Sequence, residues 1–178
     1  MIEEYIINVP QIEIDNLNKK LELTRWADEI DDNDNWSDGT NLNFLKELCR
    51  YWQNDFDWRE QEKILNEIGS FKFQYDGGYI HFLHSRSNNP NAKNLILTHG
   101  WPGSIQEFIK VIKYLRDESN EDFNIVCPSL PGFGFSSKPK SRGTDSEAIA
   151  RIQNSLMMEL GYEKYIAQGG DWGATVSN

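Results

Sequence analysis

Tyr165-Ile166-Ala167-Gln168-Gly169-Gly170-Asp171-Trp172-Gly173 is the stretch on which the fold turns. A short run with strand character, Tyr165 to Gln168, ends in two glycines, an acid, a tryptophan and a third glycine, and a helix is expected to open directly behind it. This is the small-x-nucleophile-x-small form of a nucleophile elbow, with Asp171 in the nucleophile position. Such a turn strains the backbone at its centre and brings the chain before and after it into close approach. Gly169 and Gly173 remove the side chains that would collide there. An aspartate in a glycine-rich strand-to-helix turn can equally be a simple helix cap, so these residues alone leave both readings open.

Upstream of the elbow the pattern alternates between strands and capped helices. Phe71 to Tyr75 and Tyr79 to His84 flank Asp76-Gly77-Gly78, a hairpin signal. Asn94 to Thr98 and Phe123 to Cys127 are compact apolar runs, as expected of strands covered on both faces. Ser104 with Glu107 forms a capping box ahead of Phe108, Val111, Ile112 and Leu115, and Thr144 with Glu147 is expected to cap a helix through Ile149, Ile152, Leu156 and Leu160. Alternating strands and helices predict a parallel α/β sheet behind an opening hairpin. The first seventy residues read as helical and connecting, without strand signals: Ile14, Leu17 and Leu21 at helical spacing, a polar loop from Asp28 to Asp38, a face of Leu42, Leu45, Leu48, Cys49 and Trp52, and a start at Asp57 and Glu60 for a helix burying Trp58, Ile64, Leu65 and Ile68.

Bulk properties narrow the class. A net charge of −10 over 178 residues argues against nucleic acid and against an anionic membrane surface. The start, Met1 to Ile6, is acidic where a signal peptide is basic, and no apolar run approaches a membrane span, so a cytoplasmic location is expected. Cys49 and Cys127 lie far apart in apolar segments and read as buried free thiols. Neither His nor Cys residues have ligand spacing, and Gly169-Gly170-Asp171 is not a phosphate loop, so neither metal nor organic cofactor is expected. Nothing in the sequence fixes an oligomeric state.

Two further loops join the elbow. His99-Gly100-Trp101-Pro102 follows the Asn94–Thr98 run, at the strand end where open α/β sheets bind ligands. Its backbone N–H groups are placed for half of an oxyanion hole, although a turn using Gly and Pro for geometry alone has the same composition. His99 precedes the elbow, whereas the base of such a site follows it. Pro128-Ser129-Leu130-Pro131-Gly132-Phe133-Gly134-Phe135-Ser136 by itself says only loop.

In this order the three segments resemble the H-G-x-P turn, the P-x-x-P-G-x-G-x-S loop and the Asp elbow of epoxide hydrolases in the α/β-hydrolase superfamily. Leu23-Thr24-Arg25-Trp26, Tyr51-Trp52 and Asp55-Phe56-Asp57-Trp58-Arg59 resemble the N-terminal domain of the microsomal-type branch. The resemblance implies a truncated α/β-hydrolase fold with a mostly parallel sheet of about five strands. It assigns residues 1–70 to a helical N-terminal region and 71–178 to the first part of the hydrolase domain.

The same resemblance implies that Asp171 opens an epoxide and becomes an alkyl ester, which water then attacks at the Asp171 carbonyl carbon. The N–H groups of Trp101 and Trp172 would receive the oxyanion, and the Trp101–Pro102 peptide is a candidate for cis. His99, Gly100, Pro102, Gly169, Gly170 and Gly173 would shape the turns. The substrate implied is a small to medium-sized apolar epoxide. The family's two lid tyrosines, its acid and its base map onto no residue before Asn178, and the isolated chain is expected to be inactive. The last strand, Tyr165 to Gln168, would then present an open edge. His81 and His84, three apart on one strand, are expected to point to opposite faces. A haloalkane dehalogenase resembles the elbow but generally lacks a long helical N-terminal region. A third reading is a non-catalytic remnant whose Trp26, Trp36, Trp52 and Trp58 meet a partner.

Overall fold

A computed structural model describes residues 1–30, 36, 37 and 39–178. Most of the polar loop expected from Asp28 to Asp38, namely residues 31–35 and 38, thus lies outside the described residues. Two compact units result: Met1–Ile7 with Lys63–Asn178, and Asn8–Glu62.

The larger unit is built on a sheet of six strands in the order β1-β2-β3-β5-β4-β6. These are β1 (Ile2–Glu4), β2 (Ser70–Tyr75), β3 (Gly78–Ser85), β4 (Lys93–Thr98), β5 (Phe123–Pro128) and β6 (Ile166–Gly169). The sheet is mixed, where a mostly parallel sheet of about five strands was expected. β1, β2 and β3 pair antiparallel, β3 meets β5 antiparallel, and only β4 pairs parallel, with β5 and with β6. The unforeseen strand is β1. It is three residues long and holds its place by pairing Ile2 with Phe73 and Glu4 with Phe71. A run that short has no period to detect.

Side chains alternate across the sheet with period two, and each face has its own core. Leu83, Leu95, Leu97, Ile125 and Cys127 join Leu65, Ile68, Ile105, Ile109 and Ile112 on one side. Phe82, Ile96 and Val126 join Leu156 and Met157 on the other. The helical residues of the first set come from α3 (Trp58–Ile68), a 3-10 turn (Ile105–Phe108) and α4 (Ile109–Asp117), and those of the second from α5 (Ser146–Glu159). The Ser104–Glu107 capping box forms as expected, though its first turn is 3-10. α5 starts one residue later than Thr144 would set it. Asp145 is the cap, its side chain accepting from the Ala148 N–H at 2.9 Å.

His81 and His84 do face opposite sides of the sheet. His81 bonds Ser70 and Ser129 and touches Tyr5 and Phe135, whereas His84 bonds Tyr162 and touches Phe71 and Phe82. Burial, aided by the charges of Lys72 and Arg86 respectively, lowers both to about 4, so both are neutral near pH 7. Cys127 is buried and burial pushes its thiol up; Cys49 is free and partly exposed rather than buried. β6 pairs only with β4, at the sheet edge.

The smaller unit holds α1 (Gln11–Glu22), α2 (Leu42–Asn54) and the first turn of α3. Asn41 caps α2 by accepting from the Phe44 N–H at 3.0 Å. Asp57 caps α3, accepting from Arg59 N at 2.8 Å and Glu60 N at 3.4 Å. Neither α1 nor α2 buries a residue fully. The unit's apolar contacts instead surround a cleft of about 350 Å³ lined by Val9, Ile14, Leu17, Trp52, Phe56 and Trp58. Its best-connected side chain is Glu62, which accepts from the Val9 N–H at 2.6 Å, the Trp58 indole at 2.8 Å and the Arg59 guanidinium at 2.7 Å.

Candidate active site

Because β4 runs parallel to both β5 and β6, the carboxyl ends of three strands reach the same edge, with Thr98 registered against Gly169. The loops that follow them therefore meet, which is where such sheets place their chemistry. These are 99–103, 129–137 and the turn at Gly170-Asp171 into α6 (Trp172–Ser177).

Asp171 sits at φ 53°, ψ −125°, and among the described residues it alone has a positive φ without being glycine. A non-glycine residue held there stores on the order of 1–3 kcal/mol, a cost the surroundings must absorb. They do so by packing backbone on backbone. A Cβ at Gly169 would strike the carbonyl of Gly173, and one at Gly173 would strike the carbonyl of Thr98. A Cβ at Gly100 would collide with the Asp171 side chain itself. Gly170, by contrast, has open space on its Cβ side.

The carboxylate is held asymmetrically. Oδ1 accepts the Trp101 N–H at 2.9 Å and the Trp172 N–H at 2.7 Å. Among the described residues Oδ2 accepts no hydrogen bond. The Trp101 N–H first, and then that of Trp172, hold the Asp171 carboxyl below the usual carboxylate value, against a small opposing effect of desolvation. Asp171 thus also satisfies the first N–H of α6, so the capping reading and the elbow reading describe one arrangement. The Trp101–Pro102 peptide is cis, and Trp101 and Pro102 are both exposed.

His99 is fully buried, and both its ring nitrogens bond backbone groups rather than the carboxylate. Its Nε2 accepts from the Leu130 N–H at 3.1 Å, which leaves the proton on Nδ1 to donate to Gly100 O at 2.9 Å. That carbonyl and the Trp101 N–H share one planar peptide. The imidazole therefore sets the tilt of the amide that reaches Asp171. All three histidines of the chain are committed in this way to groups other than Asp171.

Trp101 and Trp172, whose amides hold Asp171, also line an apolar cleft of about 380 Å³ together with Leu130, Phe133, Ile149 and Val176, among others. Reading the sequence missed the polar groups behind it: Ser136 and Ser129, which stitch the second loop to β3, and Thr98, whose hydroxyl donates to the buried Gln153 at 3.0 Å. Serines in a Pro/Gly-rich loop carry no signal of which strand they bond to. Among the described residues no group of three or more His, Cys, Asp or Glu could hold a metal ion, and no helix is long and apolar enough to cross a membrane.

A parallel strand end, a positive-φ aspartate and a facing H-G-x-P turn define an α/β-hydrolase-fold protein with a carboxylate at its elbow. The family model for the α/β hydrolase fold matches residues 93–178, and that for the epoxide hydrolase N terminus matches residues 2–108, more than half of the chain. The chain belongs to the epoxide hydrolase family. A candidate epoxide hydrolase of Stigmatella aurantiaca is 44% identical over 99% of this chain and 41% of its own length. Epoxide hydrolase 1 of Sus scrofa is 37% identical over 98% of this chain and 40% of its own. The solved structure of the Aspergillus niger epoxide hydrolase superposes with a TM-score of 0.88 at 31% identity, over 99% of this chain and 48% of that one. The chain thus spans about two fifths of the length of the curated relatives it matches.

Proposed function

We propose that Asp171 is the nucleophile of an epoxide-opening reaction and that this chain contributes the nucleophile and the oxyanion hole to it. The observation that carries the reading is the division of labour within one carboxylate: Oδ1 is fixed by the amides of Trp101 and Trp172, two residues that line an apolar cleft, and Oδ2 accepts no hydrogen bond among the described residues. A carboxylate oxygen at an elbow suits displacement at saturated carbon, where a serine would seek a carbonyl. Oδ2 attacks an epoxide carbon, the ring C–O bond breaks, and the alkoxide takes up a proton from solvent water, leaving hydroxide. An alkyl ester of Asp171 results. Water then adds to the ester carbonyl carbon and gives up a proton to a base, and the negative charge develops on Oδ1. The Cγ–Oδ2 bond breaks so that Oδ2 leaves on the diol, which takes up a proton, and the water oxygen completes the restored carboxylate. The amides of Trp101 and Trp172 already point at Oδ1, so they need no reorganisation, and each such donor typically contributes about 3 kcal/mol. A small to medium-sized apolar epoxide fits the aromatic and aliphatic lining of the cleft. The reading places the reaction in the cytosol, a setting in which the free thiols Cys49 and Cys127 stay reduced.

None of the three histidines is placed to activate water at Asp171, since His81, His84 and His99 are bonded elsewhere. The purified chain with a small aryl epoxide is therefore expected to give no diol above the uncatalysed blank. Added imidazole, an external base, is expected to release diol from the esterified chain, and the Asp171→Asn chain is expected to show no imidazole-dependent diol. Steady-state diol without imidazole overturns the expected inactivity, and equal imidazole-dependent release from Asp171→Asn overturns Asp171 as the nucleophile.

A further inference from the structure

Behind the oxyanion hole runs a directed relay of hydrogen bonds. It begins at β3, where the His81 N–H donates to Ser136 Oγ at 2.9 Å, and the Ser136 hydroxyl donates in turn to Ser129 O at 2.7 Å. The Ser129 carbonyl shares a peptide plane with the Leu130 N–H, which donates to His99 Nε2 at 3.1 Å. His99 Nδ1 donates to Gly100 O at 2.9 Å, and the same peptide's Trp101 N–H ends the relay on Asp171 Oδ1 at 2.9 Å. Every donor points the same way, toward the carboxylate. Aligned links of this kind polarise one another, and planar peptides transmit a rotation of the carbonyl to the N–H on the other side.

We propose that the Ser136 hydroxyl is a positioning residue for the oxyanion hole, acting on the Trp101 amide through two peptide planes and the His99 ring; this rests on the reading of Trp101 and Trp172 as that hole. Ser136 is the one side-chain hydroxyl in the relay. Among the described residues its hydroxyl is the one group that bonds the Ser129 carbonyl, and without it the Leu130 N–H is free to tilt away from His99. The neighbouring Ser137 makes an instructive contrast. Its hydroxyl accepts from Tyr79 N at 2.9 Å and donates to Tyr79 O at 3.2 Å, tying the same loop to the same strand with no link to the relay. The Trp172 N–H is a second internal reference, since it reaches Oδ1 from the residue next to Asp171 and not through His99.

The test is an NMR titration of the full chain, reading the Asp171 carboxyl carbon and the Trp101 and Trp172 amide protons. Ser136→Ala is expected to move the Trp101 amide proton upfield, the Trp172 proton by less, and the Asp171 titration up toward the ordinary carboxylate range. Ser136→Thr, which keeps a hydroxyl, is expected to restore both, and Ser137→Ala to leave both in place. A purely structural role for Ser136 predicts the same behaviour for the two alanine variants. Unmoved signals in Ser136→Ala, or equal movement in Ser137→Ala, overturn the proposal and leave the oxyanion-hole reading standing. An ordinary titration of Asp171 in the unsubstituted chain removes that reading and the proposal with it.

Discussion

Gly173→Ala is expected to destabilise the larger unit by about 3 kcal/mol or more, enough to consume much of a typical domain's stability. The reason is geometric. A Cβ at 173 meets the Thr98 carbonyl, a backbone atom at the buried end of β4, which cannot step aside by changing rotamer. Overpacking against a side chain typically costs about 1–3 kcal/mol because the neighbour relaxes; here the neighbour is the β4 backbone whose next residues present the Trp101 amide. Gly170→Ala is the matched control, immediately before Asp171 but facing open space, and is expected to stay within about 0.5 kcal/mol. Urea unfolding of the two variants checks this. Equal costs at 170 and 173 would show that the elbow is not held by close backbone approach.

In the smaller unit the largest effect is expected at Glu62. Its carboxylate is almost wholly buried and gathers the Val9 N–H, the Trp58 indole and Arg59. Glu62→Ala leaves two of those donors without an acceptor, at a cost of about 2–4 kcal/mol. The Arg59 side chain is 42% exposed, so solvent screens the ion pair and it adds little to that figure. Glu62→Gln keeps a carbonyl oxygen for both neutral donors and is expected to cost about 1 kcal/mol. Burial opposes ionisation of Glu62, yet hydrogen bonds from Arg59, Val9 and Trp58, together with the Arg59 charge, outweigh it and hold the carboxyl below its ordinary value. A lowered folded-state value means that the stabilisation is present in full above the unfolded value and is lost as the pH falls through the folded one. Acid unfolding should therefore lose its Glu62 component in Glu62→Gln, and an unchanged acid limb would contradict the assignment.

How much of this was legible in the residues depended on the range of the interaction. The hairpin around Asp76-Gly77-Gly78, the strand before the elbow and the Ser104–Glu107 box are local, and their residues spell them out. Gly169 and Gly173 were legible as the two small positions of an elbow pattern around Asp171, and the structure adds the close backbone approach that requires them. The β1 strand was not, because Ile2-Glu3-Glu4 has strand character only once Phe71 and Phe73 are beside it. The mixed sheet escaped for the same reason: β3 turns antiparallel against β5, a pairing between residues some forty apart that no local pattern encodes. Thr144 and Asp145 are both good caps, and a one-residue shift between them lies within what pattern reading resolves. The relay through Ser136 and His99 joins three loops by single hydrogen bonds, so no spacing in the chain announces it.

The most direct measurement of the central claim is the location of the covalent bond. The purified chain is incubated with a small aryl epoxide, digested, and its peptides are weighed to find which of the 28 acidic residues carries the added mass. The account predicts the mass on Asp171, and its absence from the Asp171→Asn chain. Label spread over exposed carboxylates with none enriched at Asp171, or labelling that is unchanged in Asp171→Asn, would contradict it.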